Sequence, residues 1–600
     1  MREIMNFSKE ELIKRIWVCD SEVKKILLSS KTAEEIRNEM FHCLNHYERK
    51  YFNIRSRYFL KKLHIIERYK ARECIKVFKN LLRTENEKIT GVSALKILIG
   101  LARNDNKTIS ETSNGFLCEI IALLKGVTGK LEIFESSALH FSGRKGAIER
   151  SMYLDRYSEK MESYFKRYKS GLDADIAEKR KKLKNKILKY FNSSPEQWND
   201  YKWHLRHIIR DRKTLSSLVK LEEDELEGIE RAEKRGIPFQ ITPYYISLFN
   251  EEGRTFHDQV LRAQVLPSKR YCDAVFDNWQ RGGDMDFMGE KDTSPIDLIT
   301  RRYPRILILK PFDSCPQICV YCQRNWEIKS IDEARITREK IKAAINWVRA
   351  NKNISEVLIT GGDPLTLNNQ TIEWLMGEVS AIKHVERIRI GTRTPVTLPQ
   401  RIDDGFLSIL KKYHKFGERE VCIITHYEHA IEMSGESLEA IKKIRNLGIS
   451  IYNQQVFTYY NSKRFETAFI RRTLKLAGVL PYYLFNTKGK KETKDFRVPI
   501  ARIIQERDEE ARLQPGVVRT DEAVFNVPRL GKSKLQATHD HEIIMIKPGG
   551  ERVYRFYPWE SKLVLVDTQI YEDVPIYTYL KRLKEDGESP DEYRSIWYYF

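Results

Sequence analysis

The stretch Asp313-Ser314-Cys315-Pro316-Gln317-Ile318-Cys319-Val320-Tyr321-Cys322-Gln323-Arg324 places three cysteines within eight residues, in the spacing Cys-x3-Cys-x2-Cys. Three thiolates in one short loop repel one another unless something cationic holds them. A tetrahedral zinc site wants a fourth ligand and usually brings paired Cys-x2-Cys or histidine partners. A four-iron four-sulfur cluster takes its thiolates on separate irons, and three cysteines leave one iron open to bind a small molecule. A zinc knuckle and chance clustering are the competing readings. The apolar run Ile306-Leu307-Ile308-Leu309 directly upstream, which reads as a strand, favours the cluster.

At 600 residues the chain is too long for one hydrophobic core, so two or three domains are expected. A formal charge of +21 suits a nucleic-acid partner, an anionic substrate or a lysine-rich solvated surface. Basic residues are interleaved with acidic ones along helical stretches and form no dense arm, which favours the solvated surface and leaves a nucleic-acid role second to it. Of the nine cysteines, six are scattered singly without disulfide spacing, as in a reducing compartment. The N-terminus lacks the apolar core of a signal peptide, and no apolar run is long enough to span a bilayer. A cytoplasmic protein without membrane partners is expected.

Residues 1–190 read as helices, with a cap-type Ser8 before Glu10 and Glu11 and a buried segment from Ala94 to Leu101. Between Ile306 and Thr487 a short apolar strand, a loop and an amphipathic helix recur. The strands are read at Ile306 to Leu309, Glu356 to Thr360, Arg387 to Ile390, Val421 to Thr425, Ile449 to Val456 and Tyr482 to Phe485, with helices such as Arg338 to Arg349 and Leu438 to Asn446 between them. This alternation predicts an α/β fold with a parallel sheet. Six units are too few to close an eight-fold barrel, and chemistry is expected at the C-terminal strand ends.

The loops at those ends carry the motifs. Thr360-Gly361-Gly362-Asp363-Pro364 lets backbone approach a ligand closely. Arginines recur through Arg387-Ile388-Arg389-Ile390-Gly391-Thr392-Arg393, where a buried guanidinium needs an anion or a partner carboxylate near Arg393. Thr425-His426-Tyr427-Glu428-His429 and Asn453-Gln454-Gln455 follow the next two strands.

The cysteine spacing resembles that of the radical SAM (S-adenosylmethionine) enzymes. The texts Thr242-Pro243-Tyr244-Tyr245, Gln264-Val265-Leu266-Pro267-Ser268 and Gly391-Thr392-Arg393-Thr394-Pro395-Val396 resemble lysine 2,3-aminomutase and its relatives, over about Trp198 to Leu535. The resemblance implies a partial (β/α)6 radical SAM barrel with an N-terminal helical domain and a small β-containing C-terminal extension. The expected divisions are a helical accessory domain (1–190), an aminomutase-like arm (191–300), the barrel (301–500), and a lysine loop with the extension (501–600). It implies an isomerase using a 4Fe-4S cluster on Cys315, Cys319 and Cys322, S-adenosylmethionine and pyridoxal 5′-phosphate. S-adenosylmethionine would meet Gly361, Gly362, Asp363, Arg393, His426 and Gln454, the last two by contact or as hydrogen-bonding supports. Arg302 and Arg305 resemble the clamp on the pyridoxal phosphate group. In Pro528-Arg529-Leu530-Gly531-Lys532-Ser533-Lys534 the Schiff-base lysine is Lys532, with Lys534 its rival, although one glycine stands where the family has several and the spacing from Pro528 differs by one. Partners implied are an amino acid, an electron donor such as ferredoxin or flavodoxin, and, as an open expectation, a second copy of the chain.

Arg324 matches the arginine that holds the substrate α-carboxylate. Where lysine-type enzymes bind the distal ammonium with two aspartates, this chain has Lys488 and Asn526, as glutamate 2,3-aminomutases do. A distal carboxylate suits that pair, unless Lys488 belongs to the charged loop Lys488-Gly489-Lys490-Lys491 and points to water. Glutamate is thus the expected substrate. The alternatives are lysine or another amino acid and, in another class, a radical SAM enzyme without pyridoxal phosphate that modifies protein or RNA. No cysteine follows Cys422, so the structural zinc of the lysine-type enzymes is not expected.

Overall fold

The recurring strand and helix text from Ile306 onward builds an open, mostly parallel sheet. The computed structural model describes residues 1, 3–53, 64–131, 142–487, 489–537, 539–560, 562 and 565–600. They fall into two units, one of Met161–Arg497 with Glu510–Gly531, the other of Met1–Lys160, Val498–Glu509 and Lys532–Phe600.

In the first unit β1 (Ile299–Thr300), β2 (Ile306–Leu309), β3 (Glu356–Ile359), β4 (Arg387–Gly391), β5 (Glu420–Thr425), β6 (Ser450–Phe457), β7 (Leu480–Asn486) and β8 (Glu522–Val527) lie side by side in sequence order. β1 runs antiparallel to β2, and every later strand is parallel to its predecessor. This is the expected partial α/β barrel. Its parallel part is one strand wider than the six units read from sequence, because β8 adds alongside β7 through the pair Phe485↔Val524, and β1 adds an antiparallel edge.

Helices between the strands start at side-chain caps, Thr337, Asn368, Asp403 and Ser434 each accepting from a backbone N–H three residues on. Their apolar faces pack on one face of the sheet, where Val357, Ile359, Ile388, Ile390, Val421, Ile423 and Ile451 join Ile341, Leu375, Phe406 and Ile441 in one core. A parallel strand covered on both faces reads as a continuous apolar run. Here β6 instead alternates strictly, and Ile306, Ile308, Leu358, Arg389, Gln454 and Val456 stay half-exposed. The barrel's inner face is therefore open to a ligand.

The second unit is helical around Asn114–Val127, buried nearly all round, with the antiparallel strands β10 (His541–Ile546), β11 (Arg552–Phe556) and β12 (Gln569–Glu572). Glu119 in that apolar helix is matched by Arg552, whose Nε and Nη2 donate to it at 3.0 and 2.9 Å. The capping box at Ser8 forms as read from sequence, and the helix Ile576–Glu585 follows the three strands. Among the described residues no helix is long and apolar enough to cross a membrane.

Candidate active site

The cysteine loop leaves the C-terminal end of β2. Ile318 and Val320 turn inward and are 8% and 5% exposed, while Cys315, Cys319 and Cys322 remain half-exposed. Two glutamines of the preceding arm fasten the loop: the backbone N–H of Ile318 donates to the Gln240 carbonyl at 3.0 Å, and that of Val320 to the Gln264 carbonyl at 2.8 Å. The thiols lie close enough to act on one another. Burial, then Asp363 and the other two cysteines, push the Cys315 thiol well up, and burial raises Cys319 against the opposing pull of Arg393.

Three such thiolates need a multivalent cation. Among the described residues no three His, Cys, Asp or Glu side chains converge as ligands of a single ion would. A cluster takes its thiolates on separate irons, so an all-sulfur donor set half-open on one side fits an iron–sulfur cluster.

The loop after β3 lies against this one. The N–H groups of Gly362 and Asp363 donate to the carbonyls of Phe312 and Ser314 at 2.8 and 2.9 Å. Gly361 has φ +131°, and a Cβ on Gly362 would lie 2.1 Å from the Ser314 carbonyl oxygen, so both glycines are required by the approach. The Asp363 carboxylate, expected to meet S-adenosylmethionine, is committed within the protein. It accepts from Thr392 Oγ1 at 2.8 and 2.9 Å, from Arg393 N at 2.8 Å and from Leu365 N at 3.0 Å. Asp363 thus binds the β3 loop to the end of β4.

Of the arginines in this run, Arg387 is exposed at the strand start, paired with Glu356 and Glu420. Arg389 is half-buried between Glu356 and the Tyr482 hydroxyl. Arg393 is nearly enclosed, and the partner carboxylate its burial demanded is Glu432, 2.8 Å away. His426 and Gln454 meet as β5 and β6 end, with His426 Nδ1 2.7 Å from the Gln454 carbonyl. Burial pushes the nearby Glu428 carboxyl up to about 8.

Arg324 is buried and already faces a carboxylate: its Nε and Nη2 donate to Glu290 at 3.1 Å each. Arg302 and Lys310 lie 3.9 and 3.8 Å from the same Glu290, and Lys310 also pairs with Glu327. Arg305 does not join them. Its side chain is 69% exposed at the strand starts, bonded to Ser355 and near Glu386, so it does not stand with Arg302 as the expected clamp would require.

Asn526 is half-buried on β8. The register Val456↔Phe485↔Val524 and the two-residue period of a strand put it on the same sheet face as Gln454. Lys488 lies outside the described residues. Lys532 is half-buried and Lys534 exposed on the short strand β9 (Gly531–Lys534).

Sequence reading missed Glu290, Gln264, Glu432 and Lys490. Lys490 is 4% exposed, reaches Asn325 and pairs with Glu492 at 3.0 Å, so one lysine of the charged loop after β7 turns inward. The available signal was the carboxylates themselves: Glu432 stands three residues beyond His429, and its carboxylate accepts from the backbone N–H of His429 at 3.3 Å.

A profile of the radical SAM superfamily matches residues 309–470. The chain is 42% identical to an uncharacterized KamA family protein of Methanocaldococcus jannaschii, over 96% of each chain. It is 36% identical to a glutamate 2,3-aminomutase of Clostridioides difficile, over 58% of this chain and 80% of that one. It is 35% identical to an L-lysine 2,3-aminomutase of Methanococcus maripaludis, over 53% of this chain and 72% of that one.

Proposed function

Because the chain belongs to the KamA family of radical SAM proteins, which includes isomerases named as lysine and glutamate 2,3-aminomutases, we propose that it moves the α-amino group of L-glutamate to the β-carbon with pyridoxal 5′-phosphate as a further cofactor. The observation that carries the choice of glutamate is the pair Lys488 and Asn526, a cation and an amide where lysine-type enzymes present two aspartates. Like charges about 4 Å apart near a protein surface repel by about 4 kcal/mol and opposite charges gain as much. A difference of that size decides between a distal ammonium and a distal carboxylate. The half-buried Asn526 on the Gln454 face supports the reading.

When bound, the cluster with S-adenosylmethionine supplies the hydrogen-abstracting radical, and pyridoxal phosphate stabilises charge and spin at the migrating nitrogen. Cys315, Cys319 and Cys322 hold the iron. The backbone of Gly361 and Gly362, fixed by Asp363, borders S-adenosylmethionine together with His426 and Gln454. Arg302 takes the pyridoxal phosphate group, and Lys532, with Lys534 as second candidate, binds its aldehyde. Arg324 keeps one guanidinium edge on Glu290 and offers Nη1 to the substrate α-carboxylate, while Lys488 and Asn526 hold the distal one. A ferredoxin or flavodoxin would deliver the electron in a reducing cytoplasm.

An anaerobic assay with reductant and S-adenosylmethionine, run on glutamate and lysine side by side, is expected to give a β-amino product from glutamate alone. Turnover of lysine and not glutamate would refute the assignment. Asn526→Asp is expected to lower kcat/KM for glutamate at least tenfold, since it sets a carboxylate against a carboxylate; a loss of about 1.4 kcal/mol suffices. Pyridoxal absorbance that survives in Lys532→Ala would move the aldehyde to Lys534. Wild-type protein that binds no pyridoxal would favour a radical SAM modifier of protein or RNA.

A further inference from the structure

We infer that Arg393, locked in place by Glu432, donates a charged hydrogen bond to the cluster ligand Cys319 and thereby sets the cluster's reduction potential. The inference rests on the radical SAM assignment and is independent of which amino acid the protein turns over.

Arg393 Nη1 lies 2.8 Å from Cys319 Sγ. Its other donors are committed: Nε to the His426 carbonyl at 3.0 Å, and Nη2 to Glu432 at 2.8 Å and to Gln264. A guanidinium has five N–H groups, so four are used and one remains. The backbone is held as well, with Arg393 N donating to Asp363 at 2.8 Å.

Glu432 cannot yield. It is fully buried, with one oxygen accepting from Tyr245 at 2.9 Å and Gln264 at 3.2 Å, and the other from the N–H groups of Glu428 and His429 at 2.7 and 3.3 Å. The carboxylate aims the guanidinium and the guanidinium aims at sulfur, an arrangement analogous to carboxylate–histidine–metal triads, in which the outer partner orients the ligand.

The cysteines are not equivalent in this respect. Cys322 Sγ accepts the neutral backbone N–H of Arg324 at 3.3 Å, whereas Cys319 accepts from a full positive charge. Hydrogen bonds to cluster sulfurs are among the determinants of potential. A cationic donor stabilises the form with the extra electron, so it raises the potential and eases electron entry. With a single N–H left, Arg393 is better placed to serve the sulfur than to grip the carboxylate of S-adenosylmethionine.

The test is an anaerobic redox titration of the reconstituted full chain, followed by electron paramagnetic resonance without S-adenosylmethionine. Arg393→Gln is expected to lower the equilibrium constant for one-electron reduction about tenfold, equivalent to about 59 mV. Arg393→Lys, which keeps the charge but cannot reach all four partners, is expected to fall between. An iron-replete Arg393→Gln protein with an unchanged midpoint and weakened S-adenosylmethionine binding would overturn the inference. Wild-type protein labelled with guanidino-15N-arginine removes any dependence on the variants. Pulsed resonance of its reduced cluster should show a guanidinium 15N coupling, because the Arg324 guanidinium is turned to Glu290; its absence also overturns the inference. A shifted midpoint in a protein inert toward glutamate would remove the substrate reading alone.

Discussion

Gly362→Ala is expected to cut iron incorporation and turnover to a few per cent of wild type, close to the loss from removing a cluster cysteine. The added Cβ would lie 2.1 Å from the carbonyl oxygen of Ser314, 2.6 Å from its nitrogen and 2.8 Å from its carbonyl carbon. All three are backbone atoms, so no rotamer change relieves the clash. Ser314 directly precedes Cys315, and the loop is pinned on its other side by Gln240 and Gln264. The overlap therefore shifts either the cysteine loop or the β3 loop. Forcing atoms into a packed site costs about 1–3 kcal/mol, and sometimes more. That is small for the fold but large for thiolates that must hold separate irons in fixed geometry. Iron per chain after anaerobic reconstitution, with circular dichroism to confirm folding, measures the effect. An iron-replete, active variant would show that the glycine contact does not position the cysteines.

Arg471→Met is expected to destabilise the barrel unit by about 3–5 kcal/mol, the usual cost of breaking a buried ion pair from one side. Arg471, on the helix Glu466–Ala477, donates through Nε at 2.9 and 3.0 Å and through Nη2 at 2.8 Å to Asp521, just before β8, and both side chains are under 5% exposed. Methionine fills much of the volume but leaves Asp521 a buried charge without its guanidinium. The double variant Arg471→Met with Asp521→Leu is expected to recover much of the loss, because removing both charges removes the desolvation cost. Because β8 carries Asn526, the single variant should also lose glutamate turnover before it unfolds globally. Denaturant midpoints for the single and double variants check the energies. Additive losses would mean that the pair is not coupled.

Much of the barrel is legible in the sequence. The strand starting at Ile306 and the helix starting at Arg338 were found to the residue, because a short apolar run and a 3.6-residue periodicity are written locally. The cysteine loop was legible for the same reason, three ligands being close in the chain before they are close in space. Arg305 is paired with Arg302 only by resemblance, and its side chain leaves the strand start toward Ser355 and Glu386. β8 escaped notice because it joins the sheet after a long excursion from β7 and shows little periodicity of its own.

The class of chemistry is written in the chain, since thiolate spacing and strand rhythm depend on neighbours a few residues apart. What each buried charge faces is settled only by folding. Arg324 meets Glu290 across 34 residues, Arg393 meets Glu432 across 39 and Cys319 across 74. Desolvation makes those partnerships obligatory without naming the partner, and the closing of the sheet brings one particular carboxylate within reach of each guanidinium.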